Sequence, residues 1–287
     1  MNSTISTELR RRVDDRIEAW RVAVEHQIQT ESSIVAFGRR GTQPVVLKVI
    51  RHRGDEWHAA DILEAFDGNG VVRVLDRFDG AVLLERLQPG ESLVGMAVGG
   101  DDDRATGILA DVIGRMSPHA PASLPSTVQE WGRGFEHRAA GGDSRIPKPL
   151  LEAAQRVYSQ LCASQSTSRL LHGDLHHDNV LLDRARGWLA IDPKGVVGEL
   201  EYEVGAALRN PYERPELFTE PARIERRVGR FERDLRLDAG RMLAWAFAQA
   251  VLAAVWAEED GLVVRSDHPW IALANNIRPM LKGTVDA

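Results

Sequence analysis

The segment LLHGDLHHDNVLL, Leu170–Leu182, sets three histidines, two aspartates and an asparagine between apolar flanks. Such a set can bind a metal, move a proton, or cap a polar turn. A zinc site of the helical H-E-x-x-H kind puts two histidines on one helix face with a glutamate between them. No glutamate lies between His172, His176 and His177, and Gly173 together with the strand-like run after Asn179 favours a loop. A polar turn accounts for each histidine singly but leaves Asp174, Asn179 and a later residue unexplained. That residue is Asp192 in WLAIDPKG, an aspartate closing an apolar strand where the chain turns, so that its carboxylate can face a cleft. If Val180–Leu182 pairs with Trp188–Ile191 as a hairpin through DRARG, Asn179 and Asp192 fall at neighbouring ends. They then offer hard oxygens of the kind magnesium takes, its other ligands coming from water and substrate phosphates. Asp174, five residues ahead of Asn179, can accept a hydrogen bond from an attacking hydroxyl.

The elements that must position these residues follow from periodicity. From Glu8 to His26, Leu9, Val13, Ile17, Trp20 and Val24 lie three or four apart, which predicts one amphipathic helix. The period then becomes that of strands: SSIVAFGRR and QPVVLKVIR form a hairpin through Gly41. The helix DEWHAADILEAF opens after Gly54 and closes at DGNG, and VVRVLDRF meets AVLLERL at Asp79-Gly80, so residues 28–87 read β-β-α-β-β. QPGESLVGMAVGGDDD interrupts regular structure. Helices are expected over DDRATGILADVIGRM, from Pro147 to about Cys162, and through most of the chain beyond Glu199. Short strands near Arg169–His172, Val180–Leu182 and Trp188–Ile191 come between them, and AAGGDSR (139–145) reads as a surface loop. The expected class is α+β with two lobes. A small β-rich lobe with a leading helix covers 1–87, a hinge 88–100, and a larger, mainly helical lobe 101–287.

Composition narrows the partners. A chain of 287 residues with 43% hydrophobic and 27% charged residues is ordinary for a folded protein of this size. A net charge of −6 argues against a general nucleic-acid binder, which needs a basic face, and suits a small cationic ligand better. The single cysteine, Cys162, can supply neither an internal disulfide nor a thiolate cluster. With an N-terminus that lacks an apolar leader, this points to a cytoplasmic protein. MLAWAFAQAVLAAVWA (Met242–Ala257) is shorter than the roughly 20 residues of a membrane span and is interrupted by Gln249, so it reads as a buried helix. No membrane partner is expected, and a monomer is favoured.

Asp174 and Asn179 in D-x-x-x-x-N, followed by Asp192, resemble the catalytic loop and metal-binding aspartate of the protein-kinase fold. More narrowly, HGDLHHDN with IDPKG resembles the aminoglycoside phosphotransferase superfamily. The continuation WLAIDPKGVVGELEYEVG resembles its streptomycin 6-phosphotransferase and hydroxyurea kinase branch. Two motifs at compatible spacing carry this likeness; a lone H-G-D would not. The resemblance implies a two-lobed protein-kinase-like fold. It also implies transfer of the γ-phosphoryl group of ATP or GTP, with Mg2+, to a hydroxyl of an aminoglycoside, foremost the 6-hydroxyl of streptomycin.

By the same resemblance Asp174 is the catalytic base, and Asn179 and Asp192 hold the metal. Lys48 in VVLKV orients nucleotide phosphates, with Glu56 as its ion-pair partner and Asp55 or Asp61 as substitutes. Backbone groups near Glu85 and Leu87 meet the adenine edge. Ser32 and Ser33 stand where a protein kinase has its phosphate-loop glycines, since no G-x-G-x-x-G is present. On sequence alone Lys48 can equally point to solvent from an edge strand, and Ser32-Ser33 can be a plain turn. For a cationic substrate the acidic candidates are Asp178, Glu199 with Glu201 and Glu203, and Glu258, Glu259 and Asp260. The last three end the apolar helix, where acids oppose the helix dipole and invite a reason. A same-fold kinase for another antibiotic or metabolite, a non-catalytic nucleotide-binding protein and a metal-dependent hydrolase are the rival readings. The joint presence of Lys48, Asp174, Asn179 and Asp192 weighs against the second of these.

Overall fold

The computed structural model describes residues 6–116, 126–140 and 145–281. The loop expected over 139–145 lies mostly outside them. The first lobe runs α1 (Thr7–Ala19), β1 (Val22–Gln29), β2 (Ser33–Arg40), β3 (Gln43–Ile50), a 3₁₀ turn (Asp55–His58), α2 (Ala59–Ala65), β4 (Val74–Phe78) and β5 (Ala81–Glu85). Its strands form one antiparallel sheet in the order β1-β2-β3-β5-β4. Alternation along β2 and β3 sends Ile34, Ala36, Val45, Leu47 and Val49 to one face, where they are buried with Leu9 and Val13 of α1. Val35, Phe37, Val46 and Lys48 take the other face and line a cleft. Because α1 seals the outer face, Lys48 faces the cleft and not solvent.

The leading helix is shorter than its apolar spacing predicts. It ends at Ala19, Arg21 turns the chain with a left-handed φ of 53°, and Val22–Gln29 runs as a strand instead. Register pairs Val22 with Arg40 and Gln29 with Ile34, so the expected two-stranded hairpin is the inner part of a three-stranded meander. Leu9, Val13 and Trp20 are buried, whereas Val24 is 36% exposed and gains little from a helical stripe. The free edge of β2 offers backbone partners that outweigh it.

The second lobe runs β6 (Pro89–Ser92), α3 (Val94–Val98), α4 (Asp102–Arg115), α5 (Val128–Trp131), α6 (Arg133–Ala140) and α7 (Lys148–Ala163). It continues through β7 (Arg169–Leu171), β8 (Val180–Asp183), β9 (Gly187–Ala190) and β10 (Val196–Gly198). It closes with α8 (Leu200–Leu208), α9 (Glu216–Thr219), α10 (Pro221–Leu235), α11 (Ala239–Glu259) and α12 (Pro269–Ile277). The segment expected to be irregular after Gln88 is ordered, because β6 pairs with β8 and Leu93 N–H bonds the carbonyls of His177 and Val180. α11 is the core of this lobe. From Met242 to Ala257 every residue except Leu243 and Trp256 is buried, packed against α7, α8 and α12. A helix that is apolar on all sides is what such a position requires.

The β8–β9 hairpin joins the lobes. Ala190 exchanges backbone hydrogen bonds with Gly70 and Val72 of the first lobe at 2.8 and 2.9 Å, and Arg186 pairs with Glu85. The residues at the open end of this hairpin are thereby held at the mouth of the cleft.

Candidate active site

The H-G-D turn follows β7. Gly173 has a φ of 83°, and a Cβ there would lie 3.0 Å from the Trp131 ring, so a side chain would be both strained and crowded. His172 is fully buried. Its Nε2 donates to Ile191 O at 2.8 Å and its Nδ1 accepts the Asp174 N–H at 3.3 Å, the tautomer that this network requires. Burial lowers its pKa to about 4, so it stays neutral. The carbonyl of His172 accepts the N–H groups of Lys194 and Gly195 at 3.0 and 2.9 Å, which knits the H-G-D turn to the I-D-P-K-G turn. Asn179 Nδ2 donates to Asp174 O at 2.9 Å. Val180 pairs with Ala190 in the hairpin, so Asn179 and Asp192 lie at adjacent strand ends as the spacing predicts. Asp192 takes a left-handed φ of 59°, a conformation aspartate tolerates better than most residues, and this turns its side chain out of the strand.

The charged groups form one connected cluster. Glu56 receives Lys48 Nζ on one oxygen and Lys194 Nζ on the other, each at 3.0 Å, and Ser32 Oγ donates to it at 2.9 Å. Burial would raise the Glu56 pKa, but the two ammonium groups outweigh it and hold the value at about 2. Asp61, the substitute considered for this role, pairs with Arg77 instead. Lys48 also pairs with Asp192. Asp174 has Arg209 Nη2 at 3.3 Å and His176 Nε2 at 3.9 Å. Its burial favours the neutral form, but His176, Arg209 and Lys194 win and lower its pKa, leaving an ionised carboxylate at neutral pH. For a hard divalent cation, Asp192 Oδ2 and the Asn179 amide oxygen take no hydrogen bond within the protein among the described residues. They are an oxygen pair of the kind that leaves most coordination positions to water and phosphate. The three histidines diverge: His172 faces Ile191 O, His176 faces Asp174 and Asn179, and His177 is buried.

Two pockets meet at this cluster. One, of about 390 Å³, has apolar walls including Val35, Val46, Leu84, Leu181 and Ile191 and polar positions Ser32, Ser33, Lys48 and Asp192. Glu85 and Leu87 also line it. The Glu85 carboxylate is spent on Arg186 and on the Arg73 N–H, so only its backbone is available there. Ser33 bonds Thr30 and closes a turn. The second pocket, of about 800 Å³, lies wholly in the C-terminal lobe. Asp174, His176, Lys194 and Arg209 form one wall, and Trp131, Trp256, Trp270, Glu259 and Asp260 others.

The acidic candidates separate. Glu259 and Asp260 line the large pocket. Glu258 does not: it is turned to Arg138 at 2.9 Å. Glu199 is 3% exposed and pairs with Arg241 and Trp245 inside the lobe, at the residue that precedes helix α8. Asp178 is half exposed beside His176 and outside the pocket. Glu203 lies beneath the H-G-D turn, receiving the Gly173 N–H at 3.1 Å.

Comparison with known proteins bears on this geometry. Residues 19–261 match the family model described as aminoglycoside/hydroxyurea antibiotic resistance kinase. The chain belongs to that family. Relatives of this kinase include the streptomycin 3''-kinase of Klebsiella pneumoniae, 36% identical over 85% of this chain and 92% of its own. The streptomycin 6-kinase of Streptomyces griseus is 34% identical over 78% of each chain. In fold, the kinase is similar to an aminoglycoside phosphotransferase solved as a ternary complex with ADP and hygromycin B. The TM-score is 0.65 at 16% identity, with 96% and 99% of the two chains covered.

The kinase thus has the two-lobed, protein-kinase-like fold expected from its motifs. Sequence reasoning missed Lys194, Arg209 and the three tryptophans of the large pocket. Lys194 sits inside I-D-P-K-G and was available as a signal; Arg209, Trp131, Trp256 and Trp270 come from separate helices and carry no spacing that links them. The sequence marks Glu203 only as a substrate candidate. Burial raises its pKa to about 7, so folding favours its protonated form. Stability from this group is complete below about pH 4.5 and is lost as pH rises through about 7. The stability difference between Glu203→Gln and the parent should therefore grow across that window in the variant's favour, by on the order of 3 kcal/mol. Thermal melts of both proteins from pH 4.5 to 8 measure it, and a difference independent of pH would refute the assignment.

Proposed function

We propose that the kinase transfers the γ-phosphoryl group of ATP to the 6-hydroxyl of streptomycin, with Asp174 as the base. The observation that carries this reading is the wall shared by Asp174 and the 800 Å³ pocket, where Trp131, Trp256 and Trp270 stand with Glu259 and Asp260. Indole faces and carboxylates together suit a planar guanidinium, which stacks on the one and hydrogen-bonds the other. Such a pocket presents a cationic sugar's hydroxyl to Asp174, whose carboxylate is ionised and ready to take its proton. On the nucleotide side, the apolar walls between β2, β3, β5 and β8–β9 suit a purine, with backbone groups near Glu85 and Leu87 at its edge and Ser32 near its phosphates. Asn179 and Asp192 would hold magnesium, which when bound neutralises phosphate charge. Lys48, fixed by Glu56, orients the phosphates.

The relationship to the Klebsiella pneumoniae 3''-kinase favours a second reading, transfer to the 3''-hydroxyl by the same residues. Incubation with streptomycin, ATP and Mg2+, followed by mass spectrometry and phosphorus NMR of the product, decides between them. One phosphoryl group at position 6, and no product when magnesium is omitted, is expected. A 3''-phosphate supports the second reading. Unmodified streptomycin beside a phosphorylated hydroxyurea or other hydroxyl compound overturns both.

A further inference from the structure

Lys194 stands at the boundary of the two pockets. Its backbone is pinned by the N–H bond to His172 O at 3.0 Å, and its side chain lines the large pocket beside Asp174 and Arg209. Its Nζ nevertheless reaches across to Glu56, the carboxylate that also holds Lys48. One carboxylate therefore secures a lysine from each side of the line along which a phosphoryl group must travel. Charge counting gives this arrangement a direction. Lys48 is shared between Glu56 and Asp192, and Asp174, the other carboxylate beside Lys194, is paired with Arg209; once Asp192 serves a metal, Glu56 and Asp174 are left to offset three cationic side chains, and a surplus positive charge faces the gap between nucleotide and acceptor.

We propose that Lys194 donates hydrogen bonds to the nonbridging oxygens of the γ-phosphoryl group, as a second phosphate-binding cation supplied from the acceptor side. This rests on the phosphotransfer reading above. In the step, the acceptor hydroxyl oxygen bonds the γ-phosphorus and the bond from that phosphorus to the β-phosphate oxygen breaks. The diphosphate leaves with the electron pair, and the hydroxyl proton passes to the Asp174 carboxylate. Lys194 stays protonated throughout and gives up no proton; it stabilises charge that lies on the equatorial oxygens during transfer.

The test compares the full-length parent with Lys194→Met and Lys194→Arg by equilibrium binding of ADP and of AMP-PNP, each with Mg2+ and without acceptor, and by turnover. Lys194→Met should bind ADP within about twofold of the parent, lose about 10- to 100-fold in AMP-PNP affinity, and lose about 100-fold or more in kcat. Lys194→Arg should recover part of both losses. ADP binding itself reports that the variant is folded. Equal weakening of ADP and AMP-PNP overturns the proposal, since that is what a lysine acting only through Glu56 and Lys48 would give. A fall in kcat with unchanged AMP-PNP affinity also overturns it, as does a variant indistinguishable from the parent. Because binding is read without acceptor, a parent that ignores streptomycin leaves this test intact, whereas a parent that binds neither nucleotide overturns both readings.

Discussion

Replacing Asp174 with asparagine should lower kcat by about 10²- to 10⁴-fold while nucleotide affinity stays within a few-fold of the parent. The substitution keeps the shape of the side chain and removes its ability to take a proton. The turn around it survives, because its anchors are elsewhere: His172 on Ile191 O, the Gly173 N–H on Glu203, and Asn179 on the backbone carbonyl of residue 174. Loss of the charge also frees Arg209, which now rests 3.3 Å from the carboxylate. Arg209 keeps its bond to Gln249 at 3.0 Å and so remains in place. Single-turnover kinetics with saturating ATP measure the chemical step, and transfer near the parent's rate would end the base assignment.

The largest expected effect on stability lies away from the chemistry. Arg227 of α10 is 2% exposed; it grips both carboxylate oxygens of Asp102 at the start of α4 and donates to the carbonyls of Ala207 and Asn210 at 3.2 and 2.8 Å. One guanidinium thus ties α4, α8 and α10 together beneath the residues that carry Arg209. Arg227→Met should cost about 3–5 kcal/mol, because it strands a buried carboxylate and two carbonyls without partners. Urea titration measures this. Adding Asp102→Leu to the same chain should recover much of the loss, since a hydrophobic pair needs no compensation. Equal instability of the single and double variants would show that the site's packing, and not the stranded charge, sets the cost.

Much of the site was legible in the sequence because it is local. Asp174 and Asn179 share one loop, and a four-residue hairpin brings Asp192 beside Asn179 whatever surrounds it. Lys48 was half legible. Alternation places it opposite Leu47 and Val49, but the side that meets the cleft depends on where α1 packs, and the apolar spacing misjudged where α1 ends. The acidic candidates show the limit more sharply. Glu258 and Glu259 are adjacent in sequence and about 100° apart around the helix axis. One is consumed by Arg138, and the other lines the pocket.

What the sequence by itself determined is a short-range arrangement: Asp174 and Asn179 in one loop, Asp192 across a hairpin from them, Lys48 on an alternating strand, and through these motifs the likeness to a kinase-like fold. What only the tertiary structure decided is the company these groups keep. Trp131, Arg209, Trp256 and Trp270 reach one pocket from four distant stretches of chain, and Lys194 meets Glu56 across the cleft. The physical reason is that a spacing rule constrains residues a few bonds apart. Contacts across more than a hundred residues are fixed by how buried helices pack around α11, and no local pattern records them.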